Sequence, residues 1–169
     1  GAVAALRFQI DCQGQLRFAD LQLDALRLYL HGADEVVARL YGLIFNNAIG
    51  MEIRSLDENL AAKTVVLNPK ECLRHVGYGQ DEGLLPYPRQ SFLGYRLLTE
   101  LFAFPQKFHF VDVAGWRQVA GQEFGRHAEV VIYLDATLEG LEQEIEADNF
   151  RLGCCPAVNL FQKTAEPVK

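Results

Sequence analysis

"SFLGYRLLTELFAFPQKFHFVDV", residues 91–113, holds five of the chain's eleven phenylalanines. Apolar side chains recur there at helical spacing: Phe92, Tyr95, Leu98 and Phe102 in one stripe, Leu93, Leu97, Leu101 and Phe104 in another beside it. The pattern predicts a helix over about 91–104, capped by Ser91 and stopped by Pro105. So wide a stripe needs cover on two sides, which places the helix at the centre of the fold. Phe108 and Phe110 alternate with polar neighbours and predict a strand over 107–113. Burying a ring or aliphatic chain contributes roughly 1.5–3 kcal/mol. Phe92, Tyr95, Leu98, Phe102, Phe104, Pro105, Phe108 and Phe110 are therefore expected in the core. Arg96 and Glu100 stand at i, i+4 in the less favoured order, a weak pair.

Outward from this stretch, residues 77–90, "GYGQDEGLLPYPRQ", are loop by chemistry, with three glycines and two prolines. Their GxGxxxG spacing is no phosphate cradle, because Asp81 and Glu82 would repel phosphate and no helix follows directly. Upstream, residues 5–12 and 23–32 alternate apolar and polar side chains and predict two strands. A helix follows from Asp34, its cap, with Val37, Leu40, Tyr41, Ile44 and Ala48 as its stripe. It is stopped by Asn46-Asn47 and Gly50. "MEIRSL" and "KTVVLN" predict strands joined by the turn Asp57-Glu58-Asn59. Asn68-Pro69-Lys70-Glu71 opens one short helix.

Downstream, "GWRQVAGQEFGRH" is another glycine-rich connection and "AEVVIYLD" a β-branched strand. Thr137 caps a short helix with Leu138, Leu141 and Ile145 inside, and "NFRLGCCPAVNLF" is extended and irregular. The expected fold is α+β, a mixed β-sheet packed against helices, with residues 1–160 as one domain. Residues 161–169 form a polar tail leading to a following domain. Strand, strand and helix over 6–34 onward resemble strand, strand and helix over 108–138 onward in spacing, as a duplicated unit would.

Half of the 169 residues are hydrophobic and 22% charged, and the formal net charge is −6 without a basic cluster. A nucleic-acid partner held through phosphates, or an anionic membrane surface, is therefore not expected. No apolar run reaches the roughly 18 residues of a membrane span. Cys12, Cys72, Cys154 and Cys155 form no CxxC pair, which favours a reducing compartment. Cys12 and Cys72 read as small buried hydrophobes. Cys154-Cys155 reads as filler before Pro156, because adjacent cysteines bridge only through a strained ring.

Four histidines, His31, His75, His109 and His127, are scattered with no zinc-site spacing. Three functional classes follow. One is a hydrolase-like enzyme using His109, Asp112 and Asp135. Another is a small-ligand module around the aromatic cluster. The third is a structural subunit without catalytic residue or cofactor. Exposure-prone loop positions, Tyr87, Pro88, Arg89 and Trp116, and the tail are the candidate partner contacts.

Residues 81–115, "DEGLLPYPRQSFLGYRLLTELFAFPQKFHFVDVAG", closely resemble the signature of the TssF family, also called ImpG or VasA, of bacterial type VI secretion systems. A second match runs from Asn149-Phe150-Arg151-Leu152-Gly153-Cys154 through Pro156 and Val158-Asn159-Leu160-Phe161 to Ala165-Glu166-Pro167. A third is "LYGLIFNNAIG", residues 40–50. Cys155 stands where threonine is usual. The resemblance implies an internal portion of a longer baseplate subunit that supports assembly of the contractile tail tube and sheath. Its implied partners are a TssG-like wedge subunit, a second TssF copy, TssE, TssK and the VgrG hub. The implied place is cytoplasmic, docked at the inner-membrane complex, with no cofactor and no direct membrane insertion.

Overall fold

The computed structural model describes residues 1–57, 63–88, 90–137, 139–159 and 161. Strands β1 (Ala4–Asp11), β3 (Ala48–Ser55), β4 (Thr64–Leu67) and β7 (His127–Leu134) form one sheet in the order β1-β7-β3-β4. Strands β2 (Ala25–Leu30), β5 (Leu73–His75), β6 (Phe110–Ala114) and β8 (Phe150–Arg151) form the other, in the order β5-β6-β2-β8. The helices are α1 (Asp34–Asn47), α2 (Pro69–Cys72), α3 (Leu93–Ala103) and α4 (Leu141–Glu144).

The class is α+β, as expected, but the single mixed sheet is replaced by two antiparallel ones. Every pairing among the described residues is antiparallel. The reason lies in α1, which follows β2 and precedes β3. Those strands belong to different sheets, so the helix carries the chain between sheets instead of returning it as a parallel crossover. The two similar spacings noted in the sequence acquire a matching pattern: β1 pairs with β7, and β6 with β2, as an exchange of two units would give. The helices that end the units differ, fourteen residues in α1 and four in α4.

Both sheets contribute to one core. From the first come Leu6, Met51, Ile53, Val130 and Ile132; from the second, Leu28, Leu30, Val111 and Val113. Helix α1 adds Val37, Leu40, Leu43 and Ile44. Phe8 stacks on Phe150 across the sheets with ring centroids 5.4 Å apart. Strand β7 is buried along nearly its whole length, which accounts for its β-branched run. Cys12 and Cys72 are buried, as expected.

Several local expectations are corrected. Asp34 is the first residue of α1, with Ala33 at the cap position and no side-chain cap bond. Gly50 lies inside β3 beside an irregularity, where a Cβ would meet the Tyr133 ring at 3.4 Å. The cap at Asn68 holds: its Oδ1 accepts from the Lys70 N–H at 3.1 Å, and its Nδ2 donates to Glu71 at 2.8 Å. Gly140, not Thr137, precedes α4, and Leu138 lies outside the described residues. Phe108 belongs to a 3-10 turn, Pro105–Phe108, and β6 begins only at Phe110.

Trp116 is 2% exposed and stacks on Phe18 at 5.1 Å, so it is a core residue and not a partner contact. Gly115 makes this possible. Its φ of +101° turns the chain at the end of β6 so that the indole enters the core.

Candidate protein-contact surface

Helix α3 is turned the opposite way from the expectation. Phe92, Tyr95, Leu98, Leu101 and Phe102 are 72%, 64%, 54%, 46% and 85% exposed. The residues it buries are Arg96 and Glu100. Phe92, not Ser91, occupies the cap position. Phe92, Tyr95, Leu98 and Phe102 are thus outside the core, Phe104 and Pro105 are partly buried, and Phe108 and Phe110 are buried.

The cause is the neighbour. Helix α3 backs onto the glycine-rich loop at 77–88, and that loop offers main-chain groups, which must find partners when covered. Arg96 donates to the Gln80 carbonyl at 2.8 Å and to the Gly79 carbonyl at 2.6 Å. Glu100 accepts from the Leu84 N–H at 2.9 Å through one oxygen and from the Lys107 ammonium through the other. Glu82 closes the loop on itself, accepting from the N–H groups of Gly77 and Gly79 at 2.9 and 2.8 Å. Arg27 grips Asp112 with two bonds of 2.7 and 2.8 Å and lies 4.0 Å from Glu82, which ties the loop to the second sheet.

Lys107 is 1% exposed, with its ammonium 5.1 Å from the Phe108 ring centroid. Burial pushes the Glu100 carboxyl up, but the bond from Lys107, the Leu84 N–H and the charges of Lys107 and Arg96 outweigh it. The net result is a lowered pKa and a carboxylate held charged. The pair read as weak from its spacing is thus the fastening of α3.

Phe92 and Tyr95 meet edge to face at 5.8 Å. Beside the start of α3 lies a groove of about 490 Å³ lined by Gln80, Tyr87, Pro88, Ser91, Leu93 and Arg96. Tyr87 and Pro88 are exposed, as expected, and adjoin the helix; Arg89 lies outside the described residues. The signal that could have exposed the arrangement was the placement of charge. Arg96, Glu100 and Lys107 interrupt an apolar stretch, downstream of a glycine-rich loop full of unpaired main chain.

Of the groups proposed for hydrolysis, the two acids are engaged elsewhere. Asp112 is held by Arg27, and Asp135 accepts from Asn47 Nδ2 at 2.9 Å. His127 Nδ1 contacts Asp11 Oδ1 at 2.7 Å, and His75 Nδ1 contacts the Tyr41 hydroxyl at 2.7 Å while stacking on Phe45. His31 and His109 each lie near the Tyr29 ring, with centroids at 6.2 and 6.5 Å. Burial lowers the His109 pKa, against a smaller opposing effect of Asp34. Among the described residues no group of three or more His, Cys, Asp or Glu side chains is placed to hold a metal, and no helix is long and apolar enough to cross a membrane.

An α+β unit with a helix fastened by its charged edge and aromatic on its open face has the surface of a protein that binds other proteins. The family described as "Type VI secretion system, TssF" matches residues 1–169, and the chain belongs to that family. It is 35% identical over 167 residues to the type VI secretion system component TssF1 of Pseudomonas aeruginosa (strain PAO1), across 99% of this chain and 26% of that protein. The chain thus spans about a quarter of the length of this relative. A solved chain shares the fold with a TM-score of 0.66 at 22% identity, over 80% of this chain and 25% of that one. It comes from a cryo-electron microscopy structure of the TssK-TssF-TssG baseplate subcomplex.

Proposed function

We propose that this chain serves as a rigid building unit of a type VI secretion baseplate, where it supports assembly of the contractile tail tube and sheath. The observation that carries this reading is the apolar face of α3, which is open while Arg96 and Glu100 on its other side bond to the loop and to Lys107. Membership of the TssF family supports it, as does the fold shared with a chain of a TssK-TssF-TssG subcomplex.

In this reading the unit acts by contact and catalyses nothing. Its contact residues are Phe92, Tyr95, Leu98 and Phe102, joined by Tyr87, Pro88 and Arg89. Its protein partners are TssG-like and TssK-like subunits, with a second copy of itself, TssE and the VgrG hub as further neighbours. It works in the cytoplasm, in a baseplate docked at the inner-membrane complex. Residues 1–160 fold as one domain and 161–169 lead onward. Co-expression of the full-length protein with a TssG-like subunit tests the reading. Co-elution at fixed stoichiometry is expected; separate elution of two folded proteins would overturn it.

A further inference from the structure

We infer that the free edge of β1 is a self-pairing edge, on which β1 of a second copy adds antiparallel with Gln9 opposite Gln9. Strand β1 lies at one end of its sheet and is eight residues long, whereas the other edge strands, β4, β5 and β8, have four, three and two. Long open edges are templates for further strands.

Hydrogen-bond parity shows what the edge offers. The Cys12 N–H donates to the Arg126 carbonyl at 2.8 Å, and the register sets Ile10 opposite Ala128. Even-numbered residues therefore turn their main chain toward β7. Ala5, Arg7, Gln9 and Asp11 turn theirs outward, and among the described residues they meet no main-chain partner. A strand added about Gln9 meets the outward groups of Arg7, Gln9 and Asp11; a helix or a small molecule does not.

Charge decides which strand. Antiparallel pairing about Gln9 sets Arg7 of each copy opposite Asp11 of the other, two opposite-charge pairs from one register. The same register sets only odd-numbered residues in hydrogen-bonded pairs, which is the set whose main chain is free. On the inner face it sets Phe8 opposite Ile10, and both are only partly buried in the single copy. A groove of about 520 Å³ runs along Arg7–Asp11 on that side, with Leu28, Phe150 and Leu152 in its wall, and leaves room for the added side chains. Arg7 and Asp11 are exposed; Arg7 lies 3.9 Å from Glu129, and Asp11 meets His127 Nδ1 at 2.7 Å through one oxygen. Pairing joins two four-stranded sheets into one of eight strands with an isologous interface.

The proposal names the surface used by the second copy in the functional reading. Its test uses the full-length protein alone, so it stands or falls separately from association with a TssG-like subunit. Sedimentation velocity is expected to show a dimer. Arg7→Asp and Asp11→Arg each create two like-charge pairs and should weaken dimerisation by about tenfold. The double variant Arg7→Asp/Asp11→Arg restores both pairs and should dimerise nearly as the parent does. Gln9→Pro, which removes an outward N–H and no bond to β7, should give a folded monomer. A monomeric parent, a dimer indifferent to the single changes, or a double variant as weak as the singles would each overturn the proposal.

Discussion

Glu100 on α3 and Lys107 in the turn that follows are buried together, 5% and 1% exposed, and share a hydrogen bond. Arg96 approaches the same carboxylate at 3.8 Å. One acid thus neutralises two covered cations and satisfies a loop N–H. A buried pair of this kind gives little net stability compared with apolar side chains, yet removing one partner is costly. Glu100→Gln should destabilise the protein by about 3–5 kcal/mol in urea titration. Glu100→Gln/Lys107→Met should recover part of that loss. Additive losses would show that the two side chains do not act as a pair.

Acid should loosen the same region. The folded pKa of Glu100 is lowered, so the unfolded chain takes up the proton first as pH falls. The stability this group supplies is complete above its ordinary 4.5 and is lost as pH drops through the lowered value. His109 is also lowered, so its contribution is complete above its ordinary 6.5 and falls away below it. Thermal unfolding followed from pH 7 to pH 4 should show a first decline below about 6.5 and a steeper one below about 4.5. In His109→Phe the first decline should shrink.

Trp116 is the chain's single tryptophan, and it sits in the core against Phe18. Its fluorescence should be blue-shifted in the native protein and report global unfolding. Trp116→Ala should cost about 3–5 kcal/mol by equilibrium denaturation. A neutral effect would return the residue to the surface.

Two glycines separate steric crowding from backbone strain. Gly115 has φ +101° with Leu67 Cδ1 2.6 Å from where a Cβ would sit; Gly121 has φ +76° and nothing within 4 Å. Gly121→Ala should cost about 1–2 kcal/mol from the left-handed backbone alone. Gly115→Ala should cost clearly more, because Leu67 must also move. Equal costs in matched melts would contradict the crowding.

The thiols should react in two classes. Cys155 is exposed, whereas Cys12 and Cys72 are buried and their pKa values are raised, chiefly by burial. A disulfide reagent at neutral pH should label Cys155 rapidly and reach Cys12 and Cys72 only on unfolding. Rapid labelling of all would show an open core.

Strands β1, β2 and β7 and helix α1 were legible because their neighbours are apolar, so period and burial agree. Asn68 and Pro69 marked α2 by local chemistry alone. Helix α3 was misread because its backing is a polar loop: the apolar stripe was real, but among the described residues it stays exposed. Trp116 was misread because the glycines around it look like loop. What they supply is one left-handed turn that sends the ring inward. The division into two antiparallel sheets depends on which strands meet, and no single strand's pattern contains that.

The central claim is that the open face of α3 serves contact and not folding. It is tested most directly by Phe92→Asp/Phe102→Asp in the full-length protein, measured both for thermal stability and for co-purification with a TssG-like subunit. The account predicts a melting temperature close to that of the parent and loss of the complex. A protein that fails to fold, or a folded one that still assembles normally, would contradict it.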